Sequence, residues 1–258
     1  MTSDSLRLER NGAVLTLVLN RPQRQNAIDR ATWVSLARCC EELDQDPGTR
    51  AVILRGEGAA FSSGADIREF AEVFADEGAA HAYNELVQNA LGRLERLTKP
   101  TIAQIHGNCI GGGCALAIAC DLRFAADGAK LGITPARLGL AYSLGDVRRL
   151  AALVGPARAK DLLFSARLMG SAEAQKIGLV DHVVPGHELE AAVHDYARGI
   201  AQLSGNSHRV IKALLGLVAS GQMEENAHTR ALRDGAVSHP DFLEGRRAFL
   251  ERRPPCFA

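Results

Sequence analysis

The sequence has no excess of either charge: its 30 Lys and Arg balance 30 Asp and Glu over 258 residues, a formal net charge of zero. A general nucleic-acid binder normally carries a basic surplus that neutralises phosphates, so no nucleic-acid partner is expected. No uninterrupted apolar run approaches the ~18 residues of a membrane span, and no membrane partner is expected either. The opening residues, MTSDSLRLER, lack an apolar stretch behind a basic flank, so no secretory signal is read there. There is no GxxxxGK P-loop, no GxSxG elbow and no HExxH metal pair. Gly56 begins G-E-G-A-A-F, which lacks the third glycine of a dinucleotide fingerprint. Six cysteines are present without a CxxC pair, which reads as small reduced core residues rather than disulfides or a zinc site. A soluble cytoplasmic protein without a metal is expected.

What is present is ordinary for a globular chain, with 47% hydrophobic and 23% charged residues. A chain this long buries roughly 70–75% of its unfolded surface and needs no covalent staples. Leu6 to Leu19 reads as a β-hairpin turning at Asn11-Gly12. Asp29 is placed to cap a helix running to about Asp44. Strands are expected at Ala51–Arg55, Thr101–Ile105, Leu122–Ala126 and Val180–Val184. A long helix is expected at about Ala79–Leu97, where Leu86, Ala90, Leu94 and Leu97 recur at helical spacing. A short apolar one follows over Cys114–Cys120. Helices dominate beyond Asp146. The pattern predicts an α/β core over residues 1–186 and a helical region over 187–258.

Two glycine-rich loops each follow a strand, at Gly56–Asp66 and Gly107–Gly113. Three successive glycines at a helix start leave backbone N–H groups bare at the positive end of the helix dipole. With a second N–H from the other loop they suit an oxygen that gains negative charge. The same glycines also suit tight turns and close packing, and both readings stand at this level.

The segments LNRPQRQNAID (19–29), VILRGEGAAFSSGADI (52–67), KPTIAQIHGNCIGGGCALAIACDLRFA (99–125), SAEAQKIGLVDHVVP (171–185) and DFLEGRRAFLERRPP (241–255) narrow the choice. Together they resemble the crotonase superfamily, the enoyl-CoA hydratase/isomerase family, in order and over nearly the whole chain. The resemblance implies an α/β spiral of ββα units, a C-terminal helical trimerisation region, and an acyl-CoA thioester as substrate. CoA is then part of the substrate, and no separate cofactor is implied. The assembly implied is a homotrimer or a dimer of trimers. The oxyanion-hole amides fall on Ala65 and Gly112. The CoA-binding positions fall on Arg24, Ala65, Asp66, Ile67 and Arg68, with Phe249 and Arg252 reaching a neighbouring subunit's CoA.

The family's two acid/base glutamates are absent, since Ala115 and Pro135 stand at their positions. A hydratase needs two carboxylates to hold and activate one water. The aspartate that dienoyl-CoA isomerases add falls on Ser143. The run Thr134-Pro135-Ala136-Arg137-Leu138-Gly139-Leu140-Ala141-Tyr142 resembles the TPxxLGxxY segment of methylmalonyl-CoA decarboxylase. That enzyme differs in keeping an acid at the Ala115 position and a His at the Ala65 position. Decarboxylation yields an enolate without a protein base, so an oxyanion hole and a group that orients the carboxylate can suffice. Tyr142 is the candidate to donate to a substrate carboxylate or to the enolate, beside a plain reading as a half-buried aromatic bonded to backbone. Arg137 reads as a surface arginine, His106 as structural, Asp66 as ordering its loop, and Asp146 as the cap of the next helix. The functions weighed are an acyl-CoA lyase of this family, a decarboxylase within it, and a non-catalytic acyl-CoA binder.

Overall fold

The computed structural model describes residues 5–257. The hairpin forms from β1 (Leu6–Asn11) and β2 (Val14–Leu19), then α1 (Arg30–Gln45) leads to β3 (Ala51–Gly56). After α2 (Phe70–Val73) and α3 (Glu77–Arg96) come β4 (Thr101–Ile105), β5 (Asn108–Ile110), α4 (Gly112–Ala119), β6 (Leu122–Ala126) and β7 (Lys130–Gly132). The chain continues through α5 (Leu144–Val154), α6 (Pro156–Ser165), β8 (Leu168–Gly170), α7 (Ser171–Lys176) and β9 (His182–Val184). It ends in α8 (Leu189–Ala201), α9 (Gly205–Ala219), α10 (Ala227–Gly235) and α11 (Pro240–Glu251).

Six strands form one sheet in the order β1-β2-β3-β4-β6-β9, antiparallel at the hairpin and parallel elsewhere. Every residue of β2 and β4 is buried, as apolar parallel strands covered on both faces require. Helix α8 packs across β2, β3, β4 and β6, so the helical region begins as part of the sheet's cover. Helix α1 packs on α3, and α3 also meets α4 and α9. None of the helices among the described residues is long and apolar enough to cross a membrane.

A second sheet, β5-β7-β8, was not read from the sequence. Each of its strands has three residues, too few for a period of two to register. The hairpin turn also sits one residue further on than expected. Asn11 pairs with Val14, so Gly12-Ala13 form the two-residue loop, with glycine at its first position and φ of 60° there. Asp29 caps α1 as expected, its carboxylate accepting from the Thr32 amide at 2.8 Å. Five of the cysteines are buried; Cys256 is exposed.

Candidate active site

The two glycine-rich loops are laced to one another by backbone hydrogen bonds. The Phe61 amide donates to the His106 carbonyl at 2.8 Å, and the Ser62 amide to the Asn108 carbonyl at 2.9 Å. The Ile110 amide returns a bond to the Ser62 carbonyl at 2.9 Å. Ser62 is fully buried; its hydroxyl donates to the Asn26 carbonyl and accepts from the Gly64 amide. Gly113 packs so closely on this loop that a Cβ there would lie 2.7 Å from the Ser62 carbonyl oxygen. Small residues are therefore needed where the loops touch.

This lacing brings Ala65 and Gly112 together. A Cβ on Gly112 would stand 3.3 Å from the Ala65 amide nitrogen. A residue's own N and Cβ are about 2.5 Å apart, so the two amide nitrogens lie within about 6 Å of each other. Two donors each ~3 Å from one shared oxygen fit that separation. Gly112 is the first residue of α4, where no intrahelical acceptor exists for its N–H. Neither amide meets an acceptor among the described residues. Their carbonyl-side partners are occupied, with Ile28 N–H donating to Gly64 O at 2.8 Å and Ala115 N–H to Gly111 O at 3.0 Å.

Both amides open onto a cavity of about 470 Å³. Its apolar wall includes Phe70, Phe74 and Tyr83, whose rings stack edge to face at 5.0 and 5.6 Å between centroids. Sequence reading missed this wall, because apolar residues on a helix face are equally the signature of core packing. Ala115 and Pro135 also line the cavity, so the positions of the absent glutamates face the space where a carboxylate would act. Arg137 and His106 do not line it.

Tyr142 is on the cavity wall and half-buried, and its hydroxyl donates to the Gly111 carbonyl at 2.6 Å. Burial pushes its phenol well above the usual tyrosine range, so it remains a neutral donor. Asp146 does not cap α5. Ser143 does, accepting from the Asp146 amide at 3.1 Å, and Asp146 sits three residues into the helix. The buried Asp146 carboxylate accepts from Gln88 Nε2 at 3.0 Å and the Ser143 hydroxyl at 2.8 Å, and pairs with Arg149 at 3.1 Å. Asp146, the one carboxylate among the described residues that line the cavity, is thus already held on both oxygens.

Asp66, next to Ala65, is buried under two guanidinium groups. Arg68 Nε and Nη2 reach it at 3.0 and 2.7 Å, and Arg21 Nη2 at 2.9 Å. The Arg68 hydrogen bond, reinforced by Arg21 and opposed by burial, holds this carboxyl far below the usual range. An unfolded Asp titrates near ~4. The ionised group therefore stabilises the fold fully above about pH 4, and that contribution is lost as the pH falls through the lower folded value. Asp66→Asn is expected to cost about 1–3 kcal/mol at neutral pH and to flatten the acid limb of the stability curve. Denaturant midpoints taken between about pH 7 and about pH 3 check both effects.

Ile67 is exposed where it lines the cavity; Arg68 and Arg24 are exposed on this loop and the preceding turn and do not line it. Phe249 and Arg252 are also exposed, on and just after α11; Phe249 is 84% accessible. Neither lines the cavity within the chain.

Comparison with known proteins agrees with this architecture. The family model described as enoyl-CoA hydratase/isomerase matches residues 9–258. A probable enoyl-CoA hydratase of Mycobacterium tuberculosis is 36% identical over 259 residues, covering 100% of this chain and 99% of the relative. A crotonyl-CoA hydratase of Syntrophomonas wolfei is 33% identical, with the same coverage. The crystal structure of an enoyl-CoA hydratase/isomerase family protein from Hyphomonas neptunium superposes with a TM-score of 0.95 at 38% identity, over 98% of this chain and 97% of that one. The fold is of the crotonase type, and the chain belongs to the enoyl-CoA hydratase/isomerase family.

Proposed function

We propose that this protein acts on an acyl-CoA thioester, holding the thioester oxygen between the Ala65 and Gly112 amides while the acyl group becomes an enolate. The observation that carries this reading is the pair of acceptor-free amides converging on one cavity. The reaction that fits the rest of the wall is loss of CO2 from a malonyl-type thioester. The bond to the carboxylate breaks, its electron pair passes to the α-carbon and thioester oxygen, and the enolate then takes a proton from water. No protein base is needed, which suits a cavity with Ala115 and Pro135 where the family pattern has glutamates.

A mass-spectrometric screen of malonyl-, methylmalonyl- and crotonyl-CoA tests this. Loss of CO2 from either malonyl-type thioester supports the proposal. Hydration of crotonyl-CoA at a typical ~10–10³ per second overturns the decarboxylase reading. Binding of all three without consumption favours an acyl-CoA binder. A trimer, or a dimer of trimers, is part of the proposal, because Phe242, Phe249 and Leu250 leave the last helix with apolar surface uncovered. Sizing at the mass of one chain, independent of concentration, would contradict it.

A further inference from the structure

Tyr142 has one hydroxyl proton, and it is committed to the backbone. Its 2.6 Å bond to the Gly111 carbonyl is at the short end for O–H···O contacts. A phenol donates only once, so this proton is not aimed at a substrate carboxylate or at an enolate carbon. The acceptor matters because of what lies on the other side of it. The Gly111 carbonyl and the Gly112 N–H belong to one peptide unit, and that N–H is one of the two acceptor-free amides facing the cavity.

Resonance joins the two ends of a peptide unit. A donor placed on the carbonyl oxygen draws electron density away from nitrogen and makes its N–H a stronger donor. Hydrogen-bond chains of this kind strengthen each member by roughly 10–30%. The two cavity amides are built alike in this respect. Behind Ala65, the Gly64 carbonyl accepts from the Ile28 amide at 2.8 Å. Behind Gly112, the Gly111 carbonyl accepts from the Ala115 amide at 3.0 Å and from Tyr142 as well. Only at Gly112 does a side chain supply part of the polarisation, which makes it adjustable by substitution.

We propose that Tyr142 is a positioning residue that acts through the Gly111–Gly112 peptide, orienting it and strengthening the Gly112 N–H toward the thioester oxygen. This rests on the thioester reading given above and assigns Tyr142 a part in it without substrate contact. It also places the source of the final proton in water rather than in the phenol.

The test reads the thioester carbonyl directly. Butyryl-CoA, isotope-labelled at that carbonyl, is saturated and carries no carboxylate to lose, so its stretching frequency reports polarisation in the bound state. Difference infrared spectra are recorded with the unmodified protein, with Tyr142→Phe, and with monofluorotyrosine at 142, whose hydroxyl is a stronger donor in nearly the same shape. The expected result is a downshift on binding that shrinks in Tyr142→Phe and grows with monofluorotyrosine. In turnover, Tyr142→Phe is expected to lose about 3–10-fold in kcat with KM little changed, a fraction of the loss on removing a whole oxyanion donor. A downshift indifferent to both substitutions overturns the proposal, as does a rise in KM at unchanged kcat. Should the phenylalanine variant not fold, the monofluorotyrosine arm decides alone. If the unmodified protein shows no downshift with bound butyryl-CoA, the thioester reading fails, and this inference with it.

Discussion

Gly112→Ala is expected to lower turnover by about 10²–10³-fold while the protein stays folded. The added methyl would stand 3.3 Å from the Ala65 nitrogen and 3.6 Å from both the Gly64 carbonyl carbon and Trp33 Cζ2. It therefore occupies the gap between the two amides, where the proposed thioester oxygen must sit. The loss matches that of an oxyanion donor, because an oxygen pushed aside forfeits both bonds. Folding is spared for two reasons. Gly112 is the first residue of α4 and has no left-handed φ, so alanine fits its conformation and favours the helix. The neighbouring glycine behaves in the opposite way. At Gly113 a Cβ would lie 2.7 Å from Ser62 O and 2.8 Å from Ser62 Cβ, so Gly113→Ala forces the laced loops apart and is expected to destabilise by about 1–3 kcal/mol. Steady-state turnover beside denaturant midpoints separates the two variants. Equal turnover in Gly112→Ala and the unmodified protein would remove the amide pair from the reaction.

That contrast marks how far the site was legible in the sequence. Three glycines before an apolar helix signal bare amides or close packing, and the structure uses them for both, Gly112 for the first and Gly113 for the second. Spacing alone does not separate these uses; the resemblance assigned Ala65 and Gly112. Elements bounded by strong punctuation were read to the residue, as with β4 after Pro100 and β6, and Asp29 marked the start of α1. The strands β5, β7 and β8 escaped because they are short and pair across long separations, Asn108 with Lys130 and Lys130 with Gly170. Asp146 reads as a cap in the sequence although Ser143, three residues earlier, competes for the same role with a shorter side chain. In the structure the Ser143 hydroxyl wins it, and Asp146 instead faces Gln88 and Arg149. A partner such as Gln88, 58 positions away, leaves no local trace in sequence.

Ala115→Glu combined with Pro135→Glu is expected to raise crotonyl-CoA hydration by at least about 10³-fold over the unmodified protein. Each positioned acid or base typically contributes ~10²–10⁴-fold, and the two act on a single water, so the double substitution should exceed the sum of the single ones. Both positions already face the cavity that the Ala65 and Gly112 amides open onto, so the carboxylates would be delivered to one space. The costs are unequal. Ala115 is 2% exposed on α4, and a glutamate there must bring its head into the cavity or suffer burial, at about 1–3 kcal/mol. Burial would also raise its pKa, which favours the protonated form that a general acid needs. Pro135 opens a short 3₁₀ turn over Pro135–Leu138, and replacing it forfeits a conformational restraint worth under about 1 kcal/mol. Asp146 cannot take the place of either carboxylate while Gln88, Ser143 and Arg149 occupy its oxygens, so the unmodified protein is expected to hydrate poorly. Water addition to crotonyl-CoA, followed by loss of enoyl absorbance, measures the gain. A folded double variant that binds the thioester yet hydrates no faster would show that the amide pair, not the missing acid and base, limits water addition.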